Sequence, residues 1–111
     1  MGTYLAIYLG AAETGSGDEI SAERQSEFMA AWAAWAQAHV DALIDPGAPL
    51  FRKKVVTSTG AREFTDAKVG YALVEAPSHD EAVRIFSEHP HLTLHDGNSI
   101  EVLECPAIEP G

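Results

Sequence analysis

The chain is poor in cysteine and in motifs that mark common enzyme classes. Cys105 is the only cysteine among the 111 residues, so no disulfide can form within the chain. This usage is typical of a reducing compartment, and we expect a cytoplasmic protein. The sequence also lacks a P-loop, a glycine-rich phosphate loop and a nucleophile elbow, so we expect no cofactor.

Positive charge is scarce as well. Seven lysines and arginines stand against 17 acidic residues, which gives a net charge of −10 at pH 7. Such a surface repels phosphate backbones and anionic lipids, so we expect neither nucleic acid nor membrane as a partner. The apolar run Tyr4–Leu9 is too short for a signal peptide or a membrane span.

The length and the hydrophobic fraction of 46% predict a single globular domain over residues 1–111. Thr3–Leu9 is apolar at alternate positions on both faces, which predicts a first strand in a sheet covered on both sides. Gly10–Ile20 predicts a loop that is long enough for a flap over a site, although a solvated loop is the simpler interpretation. The tail Pro106–Gly111 is expected to fray.

A long helix is predicted next. Ser21 is a suitable N-cap, and the apolar pattern continues to about Leu43, where Asp45-Pro46-Gly47 ends the helix. Leu50–Thr57 then predicts the second strand, and Ser58–Asp66 a polar connection. The basic cluster in that strand either meets an anionic ligand or, more simply, protects an edge strand from pairing.

The second half of the chain repeats the sequence of strand, helix and strand. Val69–Ala76 predicts the third strand, and Ser78-His79-Asp80-Glu81 is a capping box that opens a short helix. Pro90 ends that helix, and Ser99–Glu104 predicts the fourth strand after a turn at Gly97.

The resulting order, β-α-β-β-α-β, predicts an α+β fold of the ferredoxin-like type, with both helices on one face of a four-stranded antiparallel sheet. Because the first and third strands are apolar on both faces, the second face needs a cover as well. An identical subunit is the simplest cover, so we predict a homodimer whose sheets meet as a dimeric α+β barrel.

Three blocks in this order resemble the YCII-related proteins: WAAWAQAHVDALIDPGAPL, GYALVEAPSHDEAVRIF and EHPHLTLHDGNSIEV. The resemblance extends from about Tyr4 to Glu104. It implies a dimeric α+β barrel, related to the DGPF-domain proteins, with a pocket between the first helix and the sheet. One relative class removes chloride from chlorinated hydroxyhydroquinones without a cofactor. A His–Asp pair has been proposed as the reacting unit in part of the family.

The chain departs from the family at the histidine of the first helix. In this chain the position of the family's histidine corresponds to about Trp35, and Trp32 lies one turn earlier. The nearest histidine, His39, lies one turn later. The His–Asp pair is therefore not transferred to this chain.

Three histidines cluster near the C-terminus. His89, His91 and His95 would hold a metal if Glu101 or Asp96 completed the site. Their spacing matches no specific zinc signature, so we expect no metal. The simpler interpretation is that His89 and His91 form hydrogen bonds with the backbone at the helix exit.

A histidine beside a carboxylate can act as a general base. We predict His91 as the base and Glu101 as the group that orients it. His39 is a further candidate, with Glu75 or Asp45 as a partner, although a structural histidine at the edge of the core is the simpler interpretation.

Aromatic residues predict the ligand-binding wall. A flat ligand ring would lie among aromatic side chains of the first strand, the first helix and the third strand, with His89 beside them. These aromatic residues are Tyr8, Trp32, Trp35 and Tyr71. Tryptophans at this spacing also pack in cores, and both interpretations hold if one ring is buried and the other lies on the wall.

Three functions remain open on this basis. The first is the binding of a small organic, possibly aromatic, molecule, with or without cofactor-free lyase or isomerase chemistry. The second is a non-catalytic module for a ligand or a partner. The third is a cofactor-independent monooxygenase of the related barrel families.

Overall fold

The computed structural model describes residues 1–10 and 21–106. The predicted loop beyond Gly10 and the predicted tail beyond Pro106 lie outside the described residues. The described part is α+β, with these elements in chain order: β1 Gly2–Leu9, α1 Ala22–Ala38, β2 Leu43–Asp45, β3 Lys53–Thr57, β4 Gly60–Phe64, β5 Lys68–Ala76, α2 His79–Ser87, α3 His91–Leu94 and β6 Ser99–Glu104. Within it, no helix is both long and apolar enough to span a membrane.

Four strands form the main sheet in the order β2-β5-β1-β6, and all neighbours are antiparallel. The predicted four-stranded antiparallel sheet is confirmed, and the arrangement is compatible with a ferredoxin-like fold. The two central strands are the apolar ones. Their alternate residues, including Tyr8 and Val74, are buried on the face that carries the helices.

Trp35 connects the first helix to this core. It is the buried residue of α1, and its indole Nε1 donates a hydrogen bond of 2.8 Å to the carbonyl of Ile85 in α2. Small residues of the sheet, Ala72 and Ala76 among them, let Trp35 and Phe86 pack closely against it. The two helices are therefore fixed to each other and to one face of the sheet.

The other face of the main sheet carries a second apolar set that alternates with the core residues. We call it the open sheet face. Strand register places these residues side by side on it: Leu5, Ile7, Tyr71, Leu73, Glu75, Glu101 and Leu103. All of them are half-buried or exposed, and Leu103 is 44% exposed.

Both predicted helix starts are confirmed. The Ser21 hydroxyl accepts a hydrogen bond from the Arg24 amide, and the Ser78 hydroxyl accepts one from the Glu81 amide. The Glu81 carboxylate binds Arg84 at 2.8 Å. The second helix ends before Pro90, as expected.

A strand does form within the predicted second strand, at Lys53–Thr57, but its predicted place in the main sheet was wrong. Leu43–Asp45, which the apolar pattern assigned to the end of the first helix, occupies that edge of the sheet and pairs with Leu73 and Val74. The helix ends earlier, at Ala38, and the amides of Ala42 and Leu43 both bond to the carbonyl of His39 in a turn. This turn lets Leu43 pack against the core, which a continued helix would prevent.

The residues predicted as the second strand form a separate hairpin. Lys53–Thr57 pairs with Gly60–Phe64, part of the segment predicted as a polar connection. The Thr57 hydroxyl bonds at the turn to Thr59 and Gly60, which closes the hairpin. Local turn chemistry thus pairs the basic strand with its neighbour rather than with the sheet.

Candidate functional site

A cleft of about 810 Å³ lies where α1 crosses the ends of β1 and β5. The first helix contributes Phe28 and Trp32, and the sheet contributes Tyr8 and Tyr71. The segment Pro46–Pro49 and residues between His91 and Asn98 complete the wall. A volume of this size accommodates a drug-sized organic molecule.

No lysine, arginine, aspartate or glutamate of the described residues lines this cleft. Its polar groups come from Gln25, His91, His95 and Asn98, and the rest of the wall is aromatic, aliphatic or glycine. Where the wall is formed by these residues, a charged ligand would lose its hydration without a charged partner in return. The wall therefore suits an uncharged molecule with few polar groups.

His91 is 5% exposed, and its role in the fold is visible. Its Nε2 lies 2.9 Å from the carbonyl of Leu9, so this nitrogen carries the proton and donates it to the backbone. Burial lowers the pKa of His91, although backbone bonds at Leu9 and Ser99 act in the opposite direction. The ring is thus neutral at pH 7 and holds the short helix α3 against the end of β1.

His89 lies behind the cleft wall and is 1% exposed. Its Nδ1 accepts a hydrogen bond of 2.9 Å from the His91 amide, which assigns the proton to Nε2. The ring stands edge-on to Trp32 and Trp35, with centroid distances of 4.3 and 4.4 Å. Burial, and secondarily the charge of His91, lowers the pKa of His89 to about 3, so this ring is also neutral.

Three buried polar atoms at or behind the wall find no hydrogen-bond partner among the described residues. They are Tyr8 Oη, His89 Nε2 and Asn98 Oδ1. Buried polar atoms are usually paired, and each unpaired one costs about 1–3 kcal/mol. Burial also raises the pKa of the Tyr8 hydroxyl, so it stays protonated and able to donate. Unsatisfied groups of this kind collect where a ligand or water completes the bonding.

Three of the residues predicted for the site line the cleft together: Tyr8, Trp32 and His91. Tyr71 borders the cleft as well, but strand register places its side chain on the open sheet face, and its hydroxyl bonds to Asp45. Trp35 and His89 lie in the packed layer behind them. His39 caps the C-terminus of α1 beside Trp35, away from the cleft.

Glu101 and His91 are not brought together. Glu101 is paired with Ile7 and is exposed on the open sheet face, whereas His91 contacts Tyr8 on the opposite face. The Asp45 carboxylate accepts hydrogen bonds from the Gly47 amide and the Tyr71 hydroxyl. No carboxylate of the described residues therefore forms a pair with His91.

The sequence analysis missed the contribution of His95, Asn98 and the segment Pro46–Pro49 to the wall. The Asn98 amide donates a hydrogen bond of 3.0 Å to the carbonyl of His91, which fixes the segment between them. Asp96-Gly97-Asn98 was recognised as a turn, and a turn that follows two histidines was the available signal. In the described ranges, no group of three or more potential ligands is arranged to hold a metal ion.

A scan against protein-family models and a search of curated proteins find no match to the chain.

Proposed function

We propose that the protein binds a small, uncharged, largely aromatic molecule in the cleft beside α1. The proposal rests on two features of the described residues: they form an aromatic cleft wall without a charged side chain, and buried polar atoms at and behind that wall have no partner among them. Aromatic faces supply contact area for a flat ring, and a small number of polar groups fix its orientation. The resemblance to the YCII-related proteins supports the same location.

Acid–base catalysis without a cofactor, of the lyase or isomerase kind, is the second candidate. It is favoured by two histidines on the wall, His91 and His95, the first of which is neutral at pH 7. The bond from His91 to Leu9 and the distant position of Glu101 favour a binding module instead. Binding without turnover is therefore the function that we place first.

Ligand-observed NMR with a library of neutral one-ring and two-ring aromatic compounds tests the binding proposal. We expect hits whose affinity falls about tenfold or more in Trp32→Ala, because this ring forms part of the wall. Val40→Ala is the matched control, since Val40 is 56% exposed and does not line the cleft. Equal binding by both variants would place the hits elsewhere on the protein.

We further propose that the ferredoxin-like protomers pair through the open sheet face into a dimeric α+β barrel. Leucine and isoleucine on this face, Leu5, Ile7 and Leu73 among them, adjoin one another across three strands. An apolar sheet face of this kind favours a protein partner of the same shape, and twofold symmetry matches the face to itself.

Leu73→Lys tests the pairing. We expect the wild type to have twice the chain mass of 11.9 kDa in light scattering, and the variant to dissociate to single chains. The reason is that the lysine charge would be buried at the centre of an apolar contact. Val40→Lys introduces the same charge in the exposed turn after α1, and its mass should not change. A wild type of 11.9 kDa at all concentrations would contradict the dimer.

A further inference from the structure

The β3–β4 hairpin stands apart from the rest of the described chain. Its strands pair with each other alone, and no other helix or strand packs extensively against them. An ion pair of 2.7 Å between Lys53 and Asp66 anchors its base. A two-stranded hairpin is marginally stable in water by itself, so an additional packing surface would stabilise this one.

The side chains of the hairpin are those of a contact surface. Val56 is 79% exposed, and Phe51, just before the first strand, is 77% exposed. Arg52, Lys54 and Arg62 are exposed too, and their side chains form no hydrogen bond or ion pair within the described ranges. Exposed apolar groups beside exposed charged groups are typical of recognition surfaces.

Charge is divided unevenly between the hairpin and the rest of the chain. Residues 51–64 hold four of the seven basic residues and one of the 17 acidic residues, a net charge of +3. The remaining residues therefore carry −13. This excess negative charge would repel a free polyanion. A second copy of the chain instead offers carboxylates that attract the positive charge of the hairpin.

The margin of the open sheet face supplies acidic groups close to apolar ones: Glu101 lies on the edge strand β6 and Glu75 next to the end of β5, outside the centre of the sheet contact proposed above. Glu75 and Glu101 are both exposed on it, and the strand pairing sets them beside Thr3 and Ile7 of the central strand.

In the hairpin, strand register places Val56 and Lys54 on one face, across from Ala61 and Glu63, and places Arg62 on the other face. The face with Val56 and Lys54 is the one that complements leucines and carboxylates.

We propose that the β3–β4 hairpin is an arm that docks on a second copy of this chain. Lys54 meets a carboxylate of that copy, and Val56, on the same hairpin face, becomes buried in the contact. The inference rests on the homodimer proposed above and adds a second contact to it. Because a twofold axis would relate the two copies, each copy docks its own hairpin on the other.

Charge reversal in the hairpin tests the arm. We expect Lys54→Glu to raise the dissociation constant of the dimer about tenfold or more in sedimentation velocity, because it replaces attraction with repulsion across the contact. Arg84→Glu is the matched control: it makes the same change of charge on the exposed face of α2. An equal shift in both variants would show a general effect of net charge and overturn the arm.

A second variant and a cross-linking measurement give independent readouts. Val56→Asp should weaken the dimer similarly, although an exposed site tolerates this change in a single chain. In dimers mixed from ¹⁴N- and ¹⁵N-labelled chains, a carbodiimide should join Lys54 to a carboxylate of the other isotope. Cross-links confined to one isotope, with dimers unaffected by either variant, would overturn the arm and leave the sheet contact intact. A protein without any dimer would overturn both, while cleft binding remains separately measurable.

Discussion

Gly47→Ala should destabilise the protein by about 3–5 kcal/mol, although this substitution removes no atoms of a side chain and adds only a methyl group. Gly47 has a φ of 81°, and a Cβ placed on it would lie 1.6 Å from the carbonyl oxygen of Tyr71. That oxygen belongs to β5, a central strand, so it cannot move away without disturbing the sheet. Because domains of this size have a total stability of about 5–15 kcal/mol, the variant should be close to unfolding.

Gly97→Ala is the control for this prediction. Gly97 has a similar φ of 87°, but a Cβ there would meet nothing within 4 Å. The control variant should therefore lose only about 1–2 kcal/mol, the cost of placing a residue with a Cβ at positive φ. Urea denaturation followed by circular dichroism measures both losses. If the two variants lose the same stability, the close approach of Gly47 to β5 is not a determinant of the fold.

Acidification should destabilise the folded state through the buried histidines. The pKa of His89 is about 3 in the folded chain against 6.5 for a free ring. Between these pH values the unfolded state binds the extra proton, so stability falls by as much as about 1.4 kcal/mol for each pH unit below 6.5. Above pH 6.5 the ring is neutral in both states and contributes no pH dependence. His91, whose pKa is also lowered, acts in the same direction.

His89→Asn separates this effect from the titration of carboxylates. Asparagine keeps an acceptor two residues before the His91 amide, where His89 Nδ1 accepts now, and it removes the titrating ring. The variant should be less stable at pH 7, but it should lose about 2 kcal/mol less than the wild type between pH 6.5 and pH 5. Parallel curves for wild type and His89→Asn would contradict the neutral buried ring.

The predictable parts of the fold are those that local sequence patterns determine. Strands β1, β5 and β6 show alternation over six or more residues, and Ser21 and Ser78 are side chains that cap a helix directly. Strand β2 has only three residues and no period of its own. Its place at the edge is decided by the packing of Leu43 on the core and by pairing with β5, neither of which is local.

The candidate site divides in the same way. Tyr8 and Trp32 were predictable as wall residues because large aromatic side chains follow the faces of their elements. The pairing of Glu101 with His91 was an avoidable error, since the apolar neighbours Ile100 and Val102 already direct Glu101 to the other face of the sheet. The segment Pro46–Pro49 was not predictable as wall, because its position depends on how β2 pairs with β5.

The hairpin also bears on how the chain can change in length. The Leu50 amide bonds to the carbonyl of Val69 at 3.0 Å, so the chain leaves and re-enters the domain at neighbouring points. The residues between these points therefore form a loop whose two ends are held together. The entropic cost of closing such a loop varies slowly with its length. Insertions and deletions there should leave the main sheet and the cleft in place. With the arm proposed above, assembly would therefore be altered by editing one segment, independently of the interior of the domain.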